Sequence, residues 1–104
     1  MRGDIYRLKA SRNTSGHEQR GSRYGVVMQS DAVIRSTVVV IPTSTSTIPS
    51  DTRVPLTFNG ITTYAMTEQM AVVDLRRLGD KVGQVDHQTM SEIETAIRLL
   101  LGMF

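Results

Sequence analysis

Between Val54 and Tyr64 the chain sets Val54, Leu56 and Phe58 against Pro55 and Thr57, turns through Asn59-Gly60, and resumes with Ile61, Thr62, Thr63 and Tyr64. An Asn-Gly pair suits the two positive-φ positions of a type I′ turn, whose twist matches that of paired strands, so the segment predicts a β-hairpin. Pro55 has no amide donor, which places the first of the two strands at a sheet edge. The other short apolar segments read the same way. Ile5, Tyr6 and Leu8 follow a turn at Gly3, Tyr24 to Met28 form a short strand, and Gln29 to Arg35 a polar connection. Thr37 to Pro42 is dense in β-branched residues and predicts a central strand covered on both faces. The second hairpin strand is expected to run on through Ala65 to Val73, with a turn at Asp74 to Leu78 and a last strand from Lys81 to Val85.

After Asp86 the apolar period changes from two to helical, with Met90, Ile93, Ile97, Leu100 and Leu101 on one stripe. Asp86 stands where an N-cap is needed and Gly102 where a helix stops. Five or six strands followed by one helix predict a mostly β fold, a small antiparallel barrel closed by a C-terminal α-helix. At 104 residues this is one domain, 1–104, large enough to bury a core without a metal or disulfide.

Several function classes fall away. With no cysteine there are no disulfides, thiolate zinc sites or cysteine nucleophiles. The two histidines are His17 and His87, and His87 beside Asp86 reads as a surface or capping residue, so no metal site and no cofactor are expected. The longest apolar run, Val38 to Ile41, is far below the ~20 residues of a membrane span, and the charged start is no secretory signal, so a soluble cytoplasmic protein is expected. Of 12 basic residues only Lys9 and Lys81 are lysine, and the rest are arginine, five of them (Arg2, Arg7, Arg12, Arg20, Arg23) in the first quarter. The planar guanidinium fork fits phosphate, which leans toward a phosphate-bearing partner.

The segment Lys9 to Ser22 has no apolar residue beyond Ala10 and predicts a long surface loop, bearing His17, Glu18 and Arg20 with Arg23 just beyond. Thr43 to Thr45 close the central strand, and Glu68 with Gln69 falls in the strand after the hairpin. Together these are the groups of a metal-free ribonuclease: a base for the 2′-hydroxyl proton, an acid for the leaving 5′-oxygen, and cations or hydroxyls to hold the phosphorane.

The order Arg2-Gly3-Asp4-Ile5-Tyr6, Gly16-His17-Glu18-Gln19-Arg20-Gly21-Ser22-Arg23 before Val26-Val27, Val40-Ile41-Pro42-Thr43-Ser44 and Glu68-Gln69 closely resembles the MazF/PemK/Kid family of toxin endoribonucleases. The resemblance implies an SH3-like barrel of the CcdB/PemK type, acting as a homodimer and cutting single-stranded RNA, messenger RNA foremost, at short sequences without metal. It also implies a cognate acidic antitoxin of the MazE/PemI kind whose disordered tail occupies the RNA site. Carried over by position, Arg23 is the proton donor or phosphate stabiliser, Ser44 the hydroxyl on the scissile phosphate, and Glu68 the base, with His17 as the remaining catalytic candidate. Glu18, Gln19, Arg20, Thr43, Thr45 and Gln69 are the RNA-contacting set. Three positions depart from the pattern: Tyr24 replaces a proline, Ser44 a threonine, and Met66 the arginine two residues before the acidic base. Two alternatives belong to other classes. A CcdB-like gyrase poison would act through its C-terminal tail, whereas this chain ends in Leu99-Leu100-Leu101-Gly102-Met103-Phe104 and keeps the loop arginine and hydroxyls. A non-catalytic RNA binder would need aromatic platforms, and aromatics are only 5% of this chain.

Overall fold

A computed structural model describes residues 1–10, 23–33 and 35–104. Seven strands run in chain order: β1 (Asp4–Leu8), β2 (Arg23–Val27), β3 (Thr37–Ser44), β4 (Arg53–Phe58), β5 (Ile61–Met66), β6 (Ala71–Asp74) and β7 (Leu78–Gln84), followed by α1 (His87–Leu101). Hydrogen-bonded neighbours follow the order β4-β5-β3-β2-β1-β7, with β6 added to β3.

The long strand β3 organises the sheet. Its first half pairs with β6 from Thr37↔Asp74 to Val40↔Ala71, its middle pairs with β2 from Val27↔Val40 to Gly25↔Pro42, and its end pairs with β5 at Thr43↔Ala65 and Ser44↔Tyr64. Both faces are covered, as the unbroken β-branched run predicts. Ile41 belongs to the main core with Ile5, Val26, Leu56, Phe58 and Ile93, while Val38 and Val40 pack with Val27 and Val73 on the opposite side. β4 is an edge strand, as Pro55 requires, and the Asn59-Gly60 turn has φ of 49° and 75°.

The antiparallel sheet curls into a half-barrel with the single C-terminal helix packed against it, the mostly β architecture the sequence predicts. Its two edges meet without joining. Gly83 of β7 lies under β4, and a Cβ there would stand 3.2 Å from Phe58 Cβ and 3.5 Å from Ile5 Cδ1, so a side chain would wedge the edges apart. The helix is held as its sequence predicts. Asp86 accepts a hydrogen bond from the Thr89 amide at 2.7 Å, Ile93 and Ala96 are buried, and Gly102 takes the left-handed conformation at φ 71°. Leu100 and Leu101, on the same predicted stripe, remain exposed.

Two local expectations are corrected. The strand expected to continue to Val73 stops at Met66, turns through a 3-10 segment at Thr67–Gln69, and resumes as β6. The cause is distant in sequence: buried Thr67 donates both its amide and its hydroxyl to the Thr52 carbonyl, at 2.9 and 2.6 Å. That tie lifts the chain off β4 and returns it along the other half of β3. Counting β6 separately, the strands number seven among the described residues, rather than five or six.

Candidate functional site

Arg23 opens β2 and Ser44 ends β3. The register between these strands sets Gly25 opposite Pro42, and two residues beyond that pair stand Arg23 on one strand and Ser44 on the other. Both sit at the end of the sheet where β3 leaves β2 for β5, and the hydroxyl run of Thr43 to Thr47 follows at once. There the surface folds into a cleft of about 310 Å³ lined by Arg23, Thr43, Ser44, Thr45 and Ser46 together with Tyr24, Phe58, Ile61, Thr63 and Met66. The Tyr24 and Phe58 rings meet edge to face with centroids 5.1 Å apart, so the lining combines an aromatic pair with hydroxyls and a guanidinium.

Ser44 Oγ accepts a hydrogen bond from the Ser46 amide at 3.1 Å, which curls the hydroxyl loop. A hydroxyl that accepts still has its own proton to donate, so Ser44 is poised to offer it to an anionic oxygen in the cleft. Arg23 is exposed, with its charge available to the same oxygen. Of the residues the sequence nominates, the fold therefore brings together Arg23, Thr43, Ser44 and Thr45. His17, Glu18, Gln19 and Arg20 lie outside the described residues.

Glu68 is placed differently. It sits in the 3-10 turn after Met66 and does not line the cleft; Gln69 beside it is exposed. Both Glu68 oxygens are engaged: Oε1 accepts from the Thr52 hydroxyl at 2.9 Å, and Oε2 accepts from Arg53 Nε at 3.1 Å, with Arg53 Nη2 completing the ion pair at 3.1 Å. Burial alone would push this carboxyl up, but the hydrogen bonds from Arg53 and Thr52 outweigh it and hold it below its ordinary value. Arg53 is a residue that the sequence did not single out. Its cross-strand partner is Met66, and its Nη1 also reaches the Ile48 carbonyl at 3.2 Å. One guanidinium thus ties Glu68 to the hydroxyl loop. No local signal marks Arg53, because the pairing that brings it to Met66 and Glu68 is made by the hairpin as a whole.

The arrangement is suited to holding an anion at Arg23 and the hydroxyls with a flat apolar group beside it in the same cleft. Comparison with known proteins gives the chain its family and its fold relatives. Residues 1–101 match the model of the family described as PemK-like, MazF-like toxin of type II toxin-antitoxin system. A protein of Mycobacterium tuberculosis designated a toxin is 36% identical over 104 residues, covering 99% of this chain and 98% of its own. An endoribonuclease from a mycobacterial species, solved in complex with its cognate antitoxin, superposes with a TM-score of 0.82 at 23% identity, over 100% of this chain and 96% of that one. MazF in the MazE-MazF structure from Deinococcus radiodurans gives a TM-score of 0.82 at 20% identity, over 99% and 96%. At such identities the two structures establish the shared fold, a curled antiparallel sheet with one C-terminal helix.

Proposed function

Because this chain belongs to the PemK-like, MazF-like toxin family of type II toxin-antitoxin systems, we propose that it is an endoribonuclease that cuts single-stranded RNA, messenger RNA foremost, and so arrests translation and growth. The observation that carries the reading is the cleft itself, whose lining brings Arg23 and the hydroxyls of Thr43, Ser44 and Thr45 together with the Tyr24 and Phe58 pair. The nucleophile is the 2′-hydroxyl of the RNA. Its oxygen attacks the adjacent phosphorus, its proton passes to a base, and the bond to the 5′-oxygen breaks with a proton delivered to the leaving group. The products are a 2′,3′-cyclic phosphate and a 5′-hydroxyl, and no metal is required.

In this scheme Arg23 neutralises charge on the phosphorane and donates to the leaving oxygen, while Ser44, with Thr45 beside it, holds a non-bridging oxygen. Glu68 is the base, with His17 the second candidate for that role. Glu68 stands outside the cleft lining, its carboxylate kept ionised by Arg53 and Thr52, so it serves as base only for a substrate that extends past the cleft and draws it from those partners. Thr43, Glu18, Gln19, Arg20 and Gln69 complete the contacts to RNA.

Two partners follow. A cleft built for phosphates also accepts carboxylates, so a disordered acidic antitoxin tail folding along it would exclude RNA. The helix end leaves Leu99, Leu101, Met103 and Phe104 exposed, at 48, 54, 63 and 95%, and a homodimer would cover that apolar patch. Light scattering at micromolar concentration checks the dimer, and a monomer refutes it.

The decisive experiment uses a single-stranded RNA with one 2′-deoxy residue at the mapped cut site. Cleavage should stop at that site, continue in EDTA on the unmodified strand, and fall by ~10²-fold or more in Arg23→Ala. Cutting of the deoxy strand, or loss of cutting when divalent ions are removed, refutes the mechanism.

A further inference from the structure

Thr63 lies on β5 facing inward, 2% exposed. Its hydroxyl is the single buried side-chain polar atom without a hydrogen-bond partner among the described residues. The protein satisfies comparable groups elsewhere: buried Thr67 donates to the Thr52 carbonyl at 2.6 Å, and buried Asp4 meets Lys81 at 3.2 Å. An unpaired buried hydroxyl opposes folding, and valine would fill the same volume without that penalty. A role in the folded molecule alone therefore does not account for threonine at this position.

Its location does. Thr63 lines the cleft together with the apolar Phe58, Ile61 and Met66, within the same concavity as Arg23 and Ser44. We propose that Thr63 is a specificity-determining residue, its hydroxyl hydrogen-bonding the edge of a nucleobase that rests against the aromatic pair while Arg23 and Ser44 hold the neighbouring phosphate. The inference rests on the single-stranded RNA reading and deepens it. A base has two apolar faces and one polar edge, which matches these apolar lining residues with one hydroxyl among them. A cleft of about 310 Å³ suits one nucleotide. The threonine hydroxyl both donates and accepts, and in the free protein it has no bond to break. A turn of the side chain toward a base in the cleft therefore sacrifices no hydrogen bond.

The test compares the wild type with Thr63→Val, which keeps the shape and removes the hydroxyl, and Thr63→Ser, which keeps the hydroxyl. Three quantities are read: the thermal midpoint, the affinity for a single-stranded RNA made uncleavable by 2′-deoxy residues, and the cut sites in a randomised single-stranded RNA pool. Thr63→Val should melt at or above the wild-type temperature, bind the uncleavable strand roughly 3- to 10-fold more weakly, and lose preference at one nucleotide position. Thr63→Ser should keep that preference. If Thr63→Val melts lower, the hydroxyl is already satisfied in the free protein and the proposal falls. It falls equally if the wild type cuts RNA and Thr63→Val cuts the same sites with the same KM. If the wild type binds the uncleavable strand but cuts nothing, and Thr63→Val binds it less tightly, the subsite stands and the nuclease reading fails. If the wild type neither binds nor cuts, both fail.

Discussion

Removing the buried end of Ile93 should loosen the helix from the half-barrel and leave the cleft chemistry in place. Ile93 is 0% exposed and packs in the main core with Ile5, Leu56 and Phe58, and the helix rests against β4. Ile93→Ala deletes three buried carbons. At ~0.8 kcal/mol per buried methylene the transfer loss alone is about 2.5 kcal/mol, a minimum within the 2–5 kcal/mol seen for such truncations, to which any residual cavity adds. That is a large share of a domain stability of ~5–15 kcal/mol. For a chain of this size the transfer loss alone should lower the melting temperature by at least roughly 10–20 °C and the urea midpoint by at least ~1–2 M. The chain has no tryptophan, so far-UV circular dichroism is the direct probe, at one fixed protein concentration because any association adds to stability. Ile93 does not line the cleft, so RNA cleavage measured well below the new midpoint should stay within a few-fold of wild type. A loss under about 1 kcal/mol would mean that the core does not close on Ile93. Abolished cleavage by a folded variant would mean that the helix shapes the cleft, and either result refutes the reasoning.

Acid should remove the contribution of Glu68. Its folded pKa is lowered, so its stabilisation is present above the ordinary carboxyl value and is lost as pH falls through the lower, folded value; urea midpoints should drop below about pH 4 in the wild type and drop less in Glu68→Gln, and parallel curves would refute the tie. The Arg53–Glu68 pair, each side chain about three-quarters buried, should show a coupling of about 1 kcal/mol in a double-mutant cycle of Arg53→Ala and Glu68→Gln, and additive losses would exclude it. Gly60→Ala should cost about 1 kcal/mol through backbone strain alone, since φ is 75° and a Cβ there meets nothing within 4 Å; an unchanged melting temperature would show that the hairpin tolerates another turn.

What the residues determine unaided is whatever depends on neighbours in the chain. The Asn59-Gly60 turn, the edge position of β4, the burial of both faces of β3, and the Asp86 and Gly102 ends of the helix all follow from local backbone preference and side-chain period. The hydroxyl run was legible too, because Thr43 to Ser46 are consecutive, and Arg23 was found through the motif that carries the family resemblance. Tertiary structure decided the rest. Nothing near Met66 in the sequence says that the strand must stop there, since the bonds that turn it run from Thr67 to Thr52. The same contact moved Glu68 from a strand to a turn and gave it Arg53, whose place opposite Met66 is fixed by the hairpin register. The open half-barrel likewise depends on Gly83 meeting Phe58 across edges that are distant in the chain. Pairings of this kind are selected by the summed burial and hydrogen bonding of the whole sheet, and a local window of sequence contains only one side of each.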